Sequence, residues 1–250
     1  MISNVELEQK VNQLLHTESF NDTVINGLQV EGRNKIKQVI TGVTACYDLL
    51  NAAIRLDADA ILVHHGYFWK NESAVIKGMK RQRLKTLLVN DINLFAWHIP
   101  LDVHPKFGNN AKLAELLDIE VKGSVVHPLV LWGTIKHPVT ADSFKNRLHI
   151  ALGREPLHCY ANNAPSMIQC IAWCSGSGQR FIDNAAAFGV DAFITGEVSE
   201  QTIHSAREQG LHFFAAGHHA TERGGVQALG DWLSIQHGLK VIFVDIDNPA

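Results

Sequence analysis

The stretch Ile61-Leu62-Val63-His64-His65-Gly66 decides how the rest of the chain is interpreted. Three apolar residues followed by two histidines and a glycine indicate a buried strand that ends in two metal-ligating side chains. Successive side chains of a strand point to opposite faces, so adjacent histidines suit two metal ions better than chelation of one. A histidine pair is a weak signal alone, and partners elsewhere in the chain have to support it.

A strand–helix–strand unit surrounds this stretch. Residues 39–43 read as a strand, residues 46–56 as a helix, and the next strand ends at the two histidines. This pattern implies a parallel sheet with a right-handed crossover. Residues 94–97 form the following predicted strand, which leads into the segment 98–104. Pro100 lies in that segment, and we therefore expect a loop there instead of a helix.

The second half of the sequence repeats this design. The segment 190–197, Val-Asp-Ala-Phe-Ile-Thr-Gly-Glu, aligns with 58–65, and the strand 213–216 before His218 answers the strand 94–97 before His98. A carboxylate follows each of those histidines at the fourth position. Internal repetition of this kind predicts an α/β protein with two similar lobes, residues 1–125 and 126–250.

The predicted architecture has mostly parallel sheets in both lobes, related by an internal pseudo-repeat. The C-terminal strand is free to return to the first lobe. We expect a metal site in the cleft between the lobes, where the strand ends of both copies would meet.

Nitrogen and oxygen donors make up the candidate metal site. Imidazoles and carboxylates without thiolate fit catalytic Zn, Mn, Fe, Co or Ni. The five candidate ligands named below are too many for one catalytic ion and suit two ions, about 3.5–4 Å apart. Glu222 has the longer carboxylate arm and is the candidate bridge. The sequence thus predicts two divalent metal ions per subunit, and the predicted ligands are His64, His65, Asp102, His218 and Glu222.

Two further residues have open roles in this site. His98 could orient a ligand, act as a general acid or bind metal itself. Glu197 follows the second-half strand and could serve as a base or as an outer acceptor, as could Glu200. The alternative for both glutamates is the acidic first turn of a helix capped by Ser199.

Aromatic and basic residues after the histidines are candidates for substrate binding. Tyr67 and Trp69 could form a stacking surface, or they could simply pack a loop against the core. Lys80 and Arg81 belong to a basic run that could attract an anionic substrate, although such runs are usually solvated helix faces.

Composition limits the classes of protein that fit. The chain has 250 residues, a formal net charge of -3 and 46% hydrophobic residues, as expected of a globular protein for which a nucleic-acid partner is unlikely. Neither a signal peptide nor an apolar run of about 20 residues is evident, so no membrane association is expected. Four dispersed cysteines are typical of reduced thiols in a cytoplasmic protein.

Three motifs also carry a family resemblance. Val63-His64-His65-Gly66, His98-x-x-Leu101-Asp102 and Gly217-His218-x-x-x-Glu222 resemble the signature of the NIF-three-like family, whose members are often labelled homologues of type 2 GTP cyclohydrolase I. The match runs end to end, and the whole chain resembles the enterobacterial YbgI branch of the family through residues 63–70 and 193–202. The resemblance implies a two-lobed α/β subunit, a dinuclear metal centre with the ligands given above, and a homohexameric ring, or toroid.

Two functions follow from the ligand set and the resemblance. The first is a metal-dependent hydrolase, in which metal-activated water attacks a nucleotide or a related heterocycle as the small-molecule substrate. The alternative is a non-catalytic, metal-binding or protein-interaction ring that acts as a chaperone, sensor or scaffold.

Overall fold

The structure, a computed structural model, describes all residues from 1 to 250 and divides into two units. Unit 1 comprises Met1–Phe107 and Gly225–Asp247, and unit 2 comprises Gly108–Gly224 and Asn248–Ala250. The expected boundary at residues 125 and 126 does not coincide with this division. None of the helices has the length and apolar character needed to cross a lipid bilayer.

Helices and strands alternate along most of the chain. In residues 1–107 they are β1 (Ile2–Ser3), α1 (Asn4–Leu15), β2 (Gly27–Val30), β3 (Lys35–Ile36), β4 (Gln38–Thr44), α2 (Tyr47–Arg55), β5 (Ala60–His65), α3 (Gly78–Val89), β6 (Asn93–Ala96) and α4 (Ile99–Val103). The elements that follow are α5 (Asn109–Leu116), β7 (Ile119–Val126), β8 (Val130–Val139), α6 (Ala141–Leu152), β9 (Leu157–Cys159), β10 (Ile168–Cys174), α7 (Ile182–Phe188), β11 (Ala192–Thr195), α8 (Glu200–Glu208), β12 (His212–Ala215) and α9 (His218–Thr221). The last two are α10 (Arg223–His237) and β13 (Lys240–Phe243).

Strand β5, which ends in the histidine pair, is the central strand of the unit 1 sheet. The strand order is β13-β4-β5-β6-β2, and only β2 runs antiparallel to its neighbour. Strand period two places Leu62 in one buried cluster with α1 and α10, and Ile61 and Val63 in a second cluster with α2 and α3. Each of these fully buried side chains stabilises the fold by about 1.5–3 kcal/mol. Packing on both faces therefore fixes the register of the strand that carries the two histidines.

The unit 2 sheet departs from the expected mostly parallel arrangement. Its order is β7-β8-β10-β11-β12-β9, in which only the pairs β10–β11 and β11–β12 are parallel. The other three pairs, β7–β8, β8–β10 and β12–β9, are antiparallel. A short turn joins β7 to β8, as an antiparallel pair allows. The mixed α/β class is confirmed, while the expectation of mostly parallel sheets is wrong for unit 2.

An aspartate holds the same position before the middle strand of each sheet. Asp59 Oδ2 accepts hydrogen bonds from the backbone N–H groups of residues 37–38 at 2.8 and 3.0 Å. Asp191 Oδ2 accepts the corresponding pair from residues 169–170 at 2.9 and 2.8 Å. These bonds tie neighbouring strands together near the start of β5 and of β11.

The segment after β6 is helical, and our expectation of a loop there is wrong. Pro100 lies in the first turn of α4, where a missing N–H removes no hydrogen bond and the fixed φ suits a helix. The N–H of Asp102 donates to the His98 carbonyl at 3.0 Å. The short helix thus places Asp102 one turn beyond His98.

Candidate metal centre

His64 is fully buried at the end of β5, and its ring orientation is fixed by the backbone. Its Nδ1 lies 3.0 Å from the Trp97 carbonyl oxygen, which can only accept, so Nδ1 carries the proton in a neutral ring. Nε2 then faces Asp102, whose Oδ1 lies 3.3 Å away. A buried imidazole with Nδ1 bound to a carbonyl and Nε2 directed at a carboxylate has the arrangement of a metal ligand.

His65 and His98 complete a cluster of imidazoles in unit 1. One ring nitrogen from each of His64, His65 and His98 lies within 4.8 Å of the other two. Nδ1 of His65 lies 3.1 Å from the Thr44 hydroxyl, which leaves Nε2 for another partner. The strand alternation that separates His64 from His65 therefore does not prevent their ring nitrogens from converging.

A buried carboxylate that the sequence analysis missed supports His98. Nδ1 of His98 lies 2.8 Å from Oδ1 of Asp22, whose side chain is only 2% exposed. Burial raises the pKa of Asp22, but hydrogen bonds from His98, Asn26 and Ile99 outweigh it and hold that pKa below the usual range. No feature of the sequence around Asp22 marks it, since an acidic residue before Asn-Gly reads as an ordinary loop.

His218 and Glu222 form the corresponding pair in unit 2. Nε2 of His218 lies 3.1 Å from Oε2 of Glu222, and Nδ1 lies 2.6 Å from Oε1 of Glu197. Burial lowers the pKa of His218, but hydrogen bonds and charge from Glu222 and Glu197 raise it to about 9. The hydrogen bond from His218 in turn lowers the pKa of Glu197 despite partial burial. Glu197 thus accepts a hydrogen bond from His218, and its role as base or outer acceptor stays a prediction.

A glycine makes room for this pair. Gly176 adopts a φ of +61°, and a Cβ built there would lie 2.0 Å from Oε1 of Glu222 and 3.0 Å from Nε2 of His218. Any other residue at this position would displace the carboxylate. The backbone at Gly176 therefore approaches the His218–Glu222 pair closely.

Glu200 takes the alternative role that the sequence allowed. It is exposed in the first turn of α8, whose N-cap is Ser199, and it pairs with His204 one turn later. Glu197 precedes the helix and also accepts hydrogen bonds from Ser177 and Gln179 at 3.3 and 3.2 Å. Only Glu197 is connected to the ligand pair.

Of the two aromatic candidates, Trp69 lies beside the histidines. Its ring is 5.2 Å from the ring of His98, edge to face, and 6.0 Å from that of His65. Tyr67 is buried in the core and its hydroxyl donates to the Ala45 carbonyl at 2.9 Å. Tyr67 therefore packs the loop, which was the alternative interpretation, and Trp69 keeps a place near the site.

The two basic candidates differ in their contacts. Nζ of Lys80 donates to the Ser73 carbonyl at 2.8 Å and lies 3.3 Å from Glu72. Arg81 is exposed on the first turns of α3. Lys80 is thus engaged in holding the loop that follows Trp69, and the binding role predicted for both residues stays a prediction.

The donor distances fit divalent metal ions. Two ligands bonded to one ion at about 2.0–2.2 Å are held about 3.0–3.5 Å apart. The imidazole–carboxylate distances of 3.3 Å in unit 1 and 3.1 Å in unit 2 lie within that range. His64, His98 and His218 each direct Nδ1 at an oxygen acceptor, and Nε2 of His64 and of His218 lies beside a carboxylate. Neither unit offers a cysteine in these sets, which disfavours a closed structural zinc site.

The fold and the side chains at these strand ends define an α/β protein with histidine–carboxylate sets suited to metal ions. The Duf34/NIF3 (NGG1p interacting factor 3) family model matches residues 3–249. The chain therefore belongs to this family, and the resemblance stated from its motifs is confirmed.

Named relatives are similar over the whole chain. A protein of Salmonella typhimurium strain LT2 named "GTP cyclohydrolase 1 type 2 homolog" is 60% identical over 249 residues, covering 100% of both proteins. A solved structure titled "protein ybgI, unknown function" is 59% identical, covers 100% of both chains and has a TM-score of 0.98. The protein TTHA1606 from Thermus thermophilus is 30% identical with a TM-score of 0.90 and the same full coverage.

Proposed function

We propose that this protein binds two divalent metal ions and uses them to hydrolyse a nucleotide or a related heterocycle. His64, His65 and Asp102 would supply ligands from unit 1, and His218 and Glu222 would supply ligands from unit 2. Zn, Mn, Fe, Co and Ni all suit such a set. A single dinuclear centre with ligands from both units is part of this proposal.

One observation carries the proposal. His64 and His218 each have Nδ1 held by an oxygen acceptor and Nε2 within 3.3 Å of a largely buried carboxylate. A ring whose Nδ1–H is held by an oxygen acceptor while Nε2 faces a carboxylate has the orientation found in metal-ligating histidines. The buried Glu222 carboxylate, whose side chain is 4% exposed, needs a compensating cation. Protonated His218, with a pKa of about 9, is that cation in the metal-free chain, and a divalent ion bound at Nε2 would take the place of its proton.

The chemistry follows from the donors. Divalent ions held by these residues would supply Lewis-acid chemistry and would lower the pKa of bound water toward about 7. The chain itself orients the ligands through Trp97 and Glu197, and it presents His98 beside them to take up a proton. Opening a heterocycle or cleaving a phosphoester would both draw on this arrangement.

Trp69 favours a planar substrate. Its indole lies beside His65 and His98, where a heterocyclic base could contact the aromatic surface. The naming of relatives as homologues of a GTP cyclohydrolase agrees with a purine nucleotide as the first compound to test.

The test is turnover of metal-loaded protein against a panel of nucleotides, with Zn²⁺, Mn²⁺, Fe²⁺, Co²⁺ and Ni²⁺ each loaded separately. Mass spectrometry should show a product that has gained one water, and the product should be absent with His64→Ala and Glu222→Ala. His137→Ala is the matched control, because His137 lies on β8 outside both ligand sets. Equal turnover by wild type and His64→Ala would contradict the proposal.

A non-catalytic, protein-binding role is the second candidate. Val75, Ile76 and Met79 are exposed apolar residues at and just before the start of α3. Such a surface is typical of contacts between proteins, and the family description itself names an interacting factor. The homohexameric ring expected from the resemblance would be one such assembly. Analytical ultracentrifugation of wild type and of a Val75→Ser/Ile76→Ser variant distinguishes the roles, since only an interface there predicts a loss of assembly without a loss of bound metal.

A further inference from the structure

The Asp22 carboxylate sits in a pocket of donors in the loop before β2. Oδ1 accepts from Nδ1 of His98 at 2.8 Å, from the Thr23 N–H at 2.6 Å and from the Thr23 hydroxyl at 3.4 Å. Oδ2 accepts from the Ile99 N–H at 2.9 Å and from the Asn26 side-chain amide at 3.0 Å. Both oxygens are therefore occupied by donors from the loop and from the start of α4.

This surrounding determines the tautomer of His98. A carboxylate that receives donors on both oxygens remains ionised and can only accept. Nδ1 of His98 must then carry the proton of a neutral ring, which leaves Nε2 unprotonated. The backbone N–H of His98 donates to Oδ1 of Asn26 at 2.7 Å, so main chain and ring are held together.

The His98 ring lies beside His64 and His65. The His98 ring centroid lies 5.0 Å from that of His64 and 5.7 Å from that of His65. One nitrogen of His98 lies within 4.8 Å of a nitrogen of each of these residues, and Nδ1 is already bound to Asp22. Trp69 packs edge to face against the same ring at 5.2 Å and limits its rotation.

We propose that Asp22 is a positioning residue that fixes His98 as the proton acceptor of the proposed hydrolysis. This inference rests on the proposed function. In the step it describes, the attacking water forms a bond to the substrate and its O–H bond breaks. The proton binds Nε2 of His98, and Asp22 stabilises the imidazolium through Nδ1–H. His98 then returns that proton to the leaving atom, so that the ring ends the cycle neutral.

Asparagine cannot replace Asp22 in this role. If the amide nitrogen took the Oδ2 position, it would face two donors, Ile99 N–H and the Asn26 amide. If it took the Oδ1 position, it would face the Thr23 N–H and would donate to Nδ1 of His98. In the second orientation fewer donors face the amide nitrogen, so we expect that orientation. The amide then donates to Nδ1 of His98, and the proton of the neutral ring must move to Nε2.

The experiment is a ¹⁵N–¹H NMR measurement of histidine tautomers in metal-free full-length protein. Wild type should show His98 protonated at Nδ1, and Asp22→Asn should show it protonated at Nε2. Thr23→Val is the matched control, since it removes another donor to the same carboxylate oxygen and should leave the tautomer unchanged. His98→Gln assigns the resonance. A wild-type His98 protonated at Nε2 would overturn the inference, even if Asp22→Asn failed to fold.

Two further arms separate this inference from the proposed function. Asp22→Asn should keep the wild-type content of Zn²⁺. A loss of metal in this variant would mean that His98 is a metal ligand and would overturn its role as proton acceptor. With bis-p-nitrophenyl phosphate as the probe, kcat should fall about 100-fold or more while KM stays within about twofold. An unchanged kcat would overturn the role of Asp22. A wild type that binds no metal would instead refute the proposed function and leave the tautomer result standing.

Discussion

The two units hold their histidines with different acceptors. In unit 1 the Nδ1–H of His64 donates to a backbone carbonyl, that of Trp97, which is neutral and cannot be replaced by mutation. In unit 2 the Nδ1–H of His218 donates to a carboxylate, Glu197, at 2.6 Å. A charged acceptor makes the opposite ring nitrogen more basic and raises the pKa of His218, together with Glu222, to about 9.

Similar strand ends thus present histidines whose Nδ1 acceptors differ in charge. The geometry of the donors is alike, since each Nε2 lies close to a carboxylate. The acceptors at Nδ1 are not alike, because His64 faces a neutral backbone carbonyl and His218 faces a charged carboxylate. We therefore expect substitutions in the two units to change metal binding to different extents.

The largest effect should come from removing a ligand in either unit. His64→Ala and His218→Ala should each weaken binding of Zn²⁺ or Mn²⁺ by more than about 100-fold, a greater loss than that typical of outer residues. Isothermal titration calorimetry measures the affinity. His149→Ala, on the exposed side of α6, should retain wild-type affinity. A wild-type affinity in either ligand variant would remove that unit from the site.

A smaller loss is expected from the outer acceptor of unit 2. Glu197→Gln keeps the size of the side chain but removes its charge, so metal affinity should fall about 10–100-fold. Glu200→Gln is the matched control, since Glu200 is exposed and pairs with His204 on its own helix. Equal affinities for the two variants would mean that the charge of Glu197 does not tune His218.

The paired aspartates test how far the two sheets share one design. Asp59→Ala and Asp191→Ala should each lower the free energy of unfolding by about 2–3 kcal/mol, because two backbone N–H groups lose a charged acceptor. Asp191→Asn should cost about 1 kcal/mol, since one oxygen still serves both donors. Asp59→Asn should cost more, because Asp59 also pairs with Arg33 at 3.1 Å. Urea denaturation measures all four, and the reverse order for the two Asn variants would contradict this reasoning.

Unit 2 should also show a dependence of stability on pH through His158. Burial and the neighbouring His212 lower the pKa of His158 to about 4, while the unfolded value is near 6.5. Between these values the unfolded state binds more protons, so stability falls as pH drops from about 6.5 to about 4. The loss is at most about 3 kcal/mol, and less after allowance for solvent screening. His158→Phe, which preserves stacking on Phe214, should flatten this part of the stability profile, and an unchanged slope would contradict the assignment.

The sequence predicted the parts of this molecule that depend on local pattern. The strand ending in His64 and His65 followed from an apolar run, and the βαβ unit followed from alternating periodicities. The shared position of Asp59 and Asp191 followed from internal alignment. The family followed from the motifs at the strand ends.

What the sequence did not show depends on contacts between distant segments or on position within a helix. Asp22 reaches His98 across more than seventy residues, and no local signal marks such a pairing. Pro100 led to the wrong prediction of a loop, because proline interrupts the interior of a helix but is well accommodated in its first turn. The antiparallel strands of unit 2 were not predicted because apolar runs alone do not distinguish a mixed sheet from a parallel one. Tyr67 illustrates the same limit, since only tertiary packing shows that its hydroxyl donates a hydrogen bond to the Ala45 carbonyl.

Metal content per subunit, measured by elemental analysis of metal-replete wild type and of Glu222→Ala, tests the central claim most directly. A single dinuclear centre predicts two ions in wild type and a loss of both, or a marked weakening of both, when Glu222 is removed. Two independent sites would instead leave one ion bound with wild-type affinity. That result would contradict the account. So would wild-type protein that holds no metal after it has been loaded with metal ions.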